Sequence, residues 1–257
     1  MRMIWVIARR ELQSLFVSPL AYVVMIFFSF IIGWFFVGLV SQYADYSMRV
    51  SMGAGVPEFG VDDVIMRGFY STFGVIMIFV GPVISMRALA EEERMRTMEL
   101  VLTAPVSTMQ LVIGKYLGLM LLGAFLLALT LVFPLWLAFH QVPPGWGVLV
   151  SIWLGALLLT GAFLAIGLFS SSVTSNQIVA AVISFVVCLF FWVAGFLAPA
   201  GGGGGPAGRL LESLSVATHY DQFLRGVIDT GGVVYFLSLI GFTLFATGRI
   251  VDSRRWR

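Results

Sequence analysis

For about ninety consecutive residues, between Lys115 and Arg209, this chain contains no Asp, Glu, Lys or Arg. A water-soluble fold must keep a solvated surface over any such length, and soluble domains carry roughly 25% charged residues to do so. Here charged residues make up 11% of the chain and hydrophobic residues 60%, at a mean hydropathy of +1.00. Turn-forming stretches divide the run into apolar segments about twenty residues long, the length an α-helix needs to cross roughly 30 Å of hydrocarbon. Inside a bilayer the backbone polar groups must be satisfied within the segment, which favours helix. The sequence therefore predicts an all-α polytopic membrane protein forming a single transmembrane domain over residues 1–257.

Six spans are predicted, at residues 20–40, 69–86, 111–139, 148–169, 178–197 and 233–247. The second is interrupted late by Gly81-Pro82, and neighbouring helices re-satisfy the carbonyl that such a kink frees. The third is longer than the hydrocarbon, so its first turns, around Lys115, are expected to project toward water and Pro134 to loosen its far end. Gly114 and Gly118 on this span form a GxxxG pair, a candidate helix-packing site. The sixth span is short by a few residues.

The connectors differ in character. Residues 41–66 are polar and net acidic; Gly53-Ala54-Gly55-Val56-Pro57 suggests an irregular loop, and Asp62-Asp63 a cap on a short helix entering the second span. Residues 140–147 form a tight turn, and residues 170–177 an uncharged polar linker. Residues 199–230 join a glycine-rich linker to a stretch with helical periodicity. There Tyr220, Phe223, Leu224 and Val227 are apolar, while Asp221, Gln222, Arg225 and Asp229 are polar. That stretch is too polar to span and is expected to form short helices at the outer face. At the start, Trp5, Ala8, Leu12 and Leu15 make an apolar stripe opposite Arg2, Arg9 and Gln13, which predicts an interfacial helix over residues 1–18. The apolar run at residues 3–8 is too short for a signal peptide and no cleavage site follows it.

Six spans place both termini on one side. That side collects Arg2, Arg9, Arg10, Arg87, Arg94, Arg96, Lys115, Arg249, Arg254, Arg255 and Arg257, eleven basic residues against four (Arg49, Arg67, Arg209, Arg225) on the other. The positive-inside rule puts the termini and the loop between spans two and three in the cytoplasm.

That loop is the most charged part of the chain, with seven charges in the thirteen positions from Arg87 to Glu99. At helical spacing Met95, Met98 and Leu102 share one face, and Glu92, Arg96, Glu99 and Thr103 another. Pro105 ends the periodicity. A short amphipathic helix in water needs a surface to dock against.

The segment Glu91-Glu92-Glu93-Arg94-Met95-Arg96-Thr97-Met98-Glu99-Leu100-Val101-Leu102-Thr103-Ala104-Pro105-Val106, with Gly114-Lys115-Tyr116-Leu117-Gly118 after it, resembles the cytoplasmic coupling segment of ABC-2 type exporter permeases. Within them it is most similar to the permease associated with bacterial gliding motility. Further matches lie at Ser18-Pro19-Leu20, at Ser175-Asn176-Gln177-Ile178-Val179-Ala180 and from His219 to Thr230. The resemblance implies a permease of the bacterial inner membrane, coupled through residues 91–105 to a cytoplasmic ABC ATPase dimer. The coupling residues would be Glu92, Glu93, Met95, Arg96, Met98, Glu99, Leu102 and Thr103. ATP and Mg would be bound by that partner, with no cofactor in this chain. A second permease copy or a related chain, and an auxiliary membrane or periplasmic subunit, are further implied partners. Nucleic acid is not among them.

Chemistry of its own is not expected. Gly114-Lys115 is followed by Tyr116 and lacks the glycine five residues earlier, so it is no P-loop. HExxH and GxSxG are absent, and no charged residue lies inside a span to mark an ion path. His140, His219 and the lone Cys188 have no metal-ligand spacing. Two readings remain: the permease subunit of an ATP-driven exporter, or a non-transporting, ATPase-coupled component of a motility or cell-envelope assembly.

Overall fold

The computed structural model describes residues 2–52, 60–95, 107–197 and 205–254, and these are helical with no strand among them. In chain order the helices are α1 (Arg2–Val17), α2 (Pro19–Ser51), α3 (Arg67–Ser85), α4 (Ala90–Arg94), α5 (Thr108–Leu129), α6 (Val132–Phe139), α7 (Trp146–Val173), α8 (Gln177–Leu197), α9 (Pro206–Leu214), α10 (Val216–Leu224) and α11 (Thr230–Arg254). A π-helical turn, Asp62–Met66, leads into α3. Among the described residues six helical stretches are long and apolar enough to cross a membrane. Their order is the one expected: α2, α3, α5 with α6, α7, α8 and α11.

The spans are not equivalent. α3 and α7 are largely buried, whereas α2, α8 and α11 expose most of their apolar surface. α7 takes the centre because its sequence is rich in small residues, which let neighbours approach its backbone closely. At Gly167 a Cβ would lie 1.7 Å from Ser85 Oγ of α3, so only glycine permits this crossing. Phe69, Tyr70 and Phe73 of α3 and Ile152, Leu159 and Phe163 of α7 form the middle of the core.

Several boundaries depart from the expectation. α2 runs on to Ser51 through residues expected to be loop, because no proline or glycine interrupts it and Ser41 and Ser51 turn their hydroxyls back onto the carbonyls of Gly38 and Met48. The stretch from Gly53 to Pro57 lies outside the described residues. Asp62 does not cap a helix at the entry to α3. Its carboxylate accepts from Gly145 N at 3.0 Å, so it caps α7, whose start carries no side-chain cap of its own.

The third span is two helices rather than one. Pro134 has no N–H to give the carbonyl of Thr130, four residues back, and its ring crowds a helical carbonyl there; the break falls at Thr130–Leu131. Thr130, fully buried, donates to Leu127 O at 2.6 Å and pairs with Tyr70 Oη at 3.3 Å. Ser170, Ser171 and Ser172 are buried inside α7 rather than in a linker, which shortens the connection to α8 to three residues, 174–176. α11 is full length, because Thr230 begins it and Asp229 accepts from Gly232 N. α9 and α10 are the short helices between spans five and six, hinged at Ser215, whose hydroxyl accepts from Thr218 N at 3.2 Å. In α1 the buried side carries Ala8 and Leu15, and Trp5 is 60% exposed, turned away from the bundle.

Candidate functional site

α3 ends at Ser85, and the chain turns through Met86–Leu89 into α4. Ala88, Leu89 and Ala90 are buried although they sit in the most charged part of the sequence. The Ser171 hydroxyl accounts for this. It accepts from Leu89 N at 3.0 Å and from Ala90 N at 2.9 Å, and it donates to Met86 O at 2.9 Å. Leu89, at the helix start, has no side-chain cap, so a serine 81 to 85 residues away satisfies orphan donors that a local Ser or Asp would otherwise take. Glu91, Glu92 and Glu93 occupy the first turn of α4, where negative charge is favoured by the helix dipole.

Two cations anchor this corner to the start of the chain. Arg87 pairs with Glu91 Oε2 at 3.2 Å and donates to Ser18 Oγ, the hydroxyl that caps α2 by accepting from Leu20 N. Lys115 of α5 is 2% exposed. Its ammonium meets Glu92 Oε1 at 2.8 Å, Glu11 Oε2 of α1 at 3.0 Å and Ala88 O at 2.6 Å. The expectation that Lys115 projects toward water is therefore wrong. α1 lies over this turn of α5, and three acceptors replace water around the charge. Glu92 is likewise turned inward, away from the face it shares with Arg96 and Glu99 in the sequence pattern. Glu93 is half-buried, and Met95 is 66% exposed. Arg96, Met98, Glu99, Leu102 and Thr103 lie outside the described residues.

Gly114 and Gly118 flank Lys115 and face α1. A Cβ at Gly114 would lie 2.7 Å from Ile7 Cβ and 3.1 Å from Ile4 O; at Gly118 it would lie 2.7 Å from Glu11 Cβ and 2.9 Å from Ala8 O. The close approach of backbones at these two glycines is what brings Glu11 within reach of Lys115. Beside the charges lies a cavity of about 240 Å³, bordered by Arg10, Ser14, Arg87 and Glu91. The sequence marked Glu92, Glu93 and Met95. It missed Ser171, Glu11 and Arg87, and the one available signal was three consecutive hydroxyls at the end of an apolar run.

The opposite end of α3 is also tethered. Arg67 reaches Asp221 of α10 at 2.6 Å, and Tyr220 Oη donates to Tyr70 O at 2.9 Å. Burial, with Tyr70 alongside, pushes the Tyr220 hydroxyl well above its ordinary value, so it acts here as a neutral donor. A cavity of about 530 Å³ lies between α3, α8 and α10, lined by Ser71, Val75, Trp192, Phe196, Thr218 and Tyr220. His140 and His219 bond the carbonyls of Trp136 and Ser215 one turn before them in their own segments. Among the described residues no group of three or more His, Cys, Asp or Glu has the proximity to hold a metal ion.

Among the described residues six apolar helices describe a multi-pass membrane domain, and residues 5–248 match the family described as ABC-2 family transporter protein. The chain belongs to this family. No curated protein matches the chain. As an ABC-2 family protein it is a multi-pass membrane permease, the component type that typically partners an ABC ATPase. In this ABC-2 permease the corner from Met86 to Arg94 follows the second span at one end of the bundle. It lies at the end of α3, the span tied at its other end to α10.

Proposed function

We propose that this chain is the membrane-spanning permease subunit of an ATP-driven exporter of the inner membrane, and that a separate cytoplasmic ATPase drives it through residues 91–105. The observation that carries this reading is the corner itself. Its backbone is bonded to α7 through Ser171, and its charges to α1 and α5 through Lys115, so force on α4 reaches the spans through short, buried contacts rather than a loose loop. The eleven-to-four distribution of basic residues supports a cytoplasmic location for this end and for both termini. ABC ATPases act as pairs, which calls for two permease chains, two copies or this chain with a relative; ATP and Mg belong to the ATPase.

The helical spacing of Met95, Met98 and Leu102 in the sequence supports an apolar contact to a groove on the ATPase, with Arg96, Glu99 and Thr103 as the polar residues beside it. Co-purification of the cognate ATPase tests this at equal membrane abundance. Met98→Asp, which puts a charge in the groove, sharply lowers recovery, while Glu99→Gln has little effect. Undiminished recovery with Met98→Asp removes the segment from the coupling role. The likeness of residues 91–106 and 219–230 to the gliding-motility permease favours a second reading, a non-transporting component of a motility or envelope assembly. Export from reconstituted vesicles under ATP separates the two.

A further inference from the structure

Among the described residues Lys115 is the only Lys, Arg, Asp or Glu that is buried, and the reading above uses it only as one contact between the corner and the spans. We propose that Lys115 is a positioning residue that locks α1, the corner from Met86 to Arg94 and α5 into one moving unit, so that the N-terminal helix transmits motion instead of only resting on the membrane.

The chemistry of the ammonium supports this. It has three N–H donors and meets three acceptors from two separate parts of the chain: Glu11 on α1, and Glu92 and Ala88 O at the corner. An apolar side chain at this place on an apolar helix would serve stability as well or better, since a buried ion pair seldom outdoes well-packed hydrophobic groups. The charge instead specifies which segments meet. Separating α1 or the corner takes an acceptor from the buried ammonium, which opposes partial opening. Packing holds α1 on α5, but between α1 and the corner lies the cavity of about 240 Å³, so the charges make that link. α1 also cannot slide along α5, with its backbone against Gly114 and Gly118. At its far end, Arg87 bonds Ser18 in the link to α2. A displacement of α4 is thus applied to α1 at two points.

The motion rests on the ATPase-driven reading; the lock does not, and the test separates them. Spin labels are placed on the exposed residues Gln13 and Arg94, with Ile178 on α8 as reference, in a Cys188→Ala background in lipid nanodiscs. Without ATPase, the parent chain gives one narrow Gln13–Arg94 distance. In the charge-free variant Lys115→Met/Glu11→Gln/Glu92→Gln, no carboxylate is orphaned, so abundance and melting are retained, yet the narrow distance is lost. A narrow distance in that variant overturns the proposal. If the triple variant fails to accumulate, Glu11→Gln alone decides: it broadens the distance, and an unchanged distance overturns the proposal. With the cognate ATPase trapped by ATP and vanadate, Gln13 and Arg94 both move relative to Ile178 while keeping their mutual distance. Movement of Arg94 without Gln13 in the parent chain also overturns it. If neither moves, the ATPase-driven reading fails and the ATPase-free distances decide the role of Lys115.

Discussion

Replacing Ser171 by alanine removes a single oxygen atom, and the structure predicts that the corner at the end of α3 loosens far more than this small change suggests. The hydroxyl is the acceptor for Leu89 N and Ala90 N and the donor to Met86 O, all at 2.9–3.0 Å and in buried surroundings. Each buried donor left without a partner costs about 1–3 kcal/mol. Taking the lower half of that range for two N–H groups near the end of the bundle gives about 3 kcal/mol, or roughly a hundredfold in the local opening equilibrium. Ser170 and Ser172 are the controls. They donate to Ile166 O and Phe169 O of their own helix, carbonyls positioned to accept helical bonds, so their alanine variants lose less than about 1 kcal/mol. Amide hydrogen exchange of a peptide covering residues 86–95 reads the difference directly. Ser171→Ala accelerates exchange there by about two orders of magnitude; Ser170→Ala and Ser172→Ala leave it near the parent rate. Equal exchange in all three variants would show that Ser171 does not cap α4.

Gly118→Leu forces α1 away from α5, because its Cβ meets Ala8 O at 2.9 Å, and costs about 1–3 kcal/mol in thermal melting; Gly38→Leu, with open space around it, is neutral. Lys115→Met by itself takes the ammonium away from Glu11 and Glu92 and costs about 3 kcal/mol, given that both carboxylates keep some exposure; adding Glu11→Gln recovers part of the lost yield. At the other end of α3, Tyr220→Phe lowers melting more than Asp221→Asn. The buried hydroxyl bond to Tyr70 O is worth about 1–2 kcal/mol, while the Arg67–Asp221 pair is over a third exposed and worth less than about 1 kcal/mol. Cysteines at Arg94 and His140, both exposed, are labelled by an impermeant reagent from opposite sides of the membrane; labelling of both from one side contradicts the six-span topology.

The number and order of the membrane helices were legible in the sequence, because a span is specified by one local quantity, the length of an uncharged apolar run, and the bilayer requires every such run to satisfy its own backbone. The short helices at 206–224 were legible for the complementary reason, since charges recurring every few residues do not enter hydrocarbon. The fate of individual polar groups was not. Lys115 reads as a water-facing lysine, and the arrival of Glu11, 104 positions away, together with Glu92 and Ala88 O, makes its burial tolerable. Asp62 has the look of a local cap and caps α7 instead. Ser171 reads as linker and organises the corner. A hydrogen bond or an ion pair is a property of two groups, and where the second comes from a distant helix, tertiary structure alone decides which charge is buried, which helix end is capped and which segments are tied together.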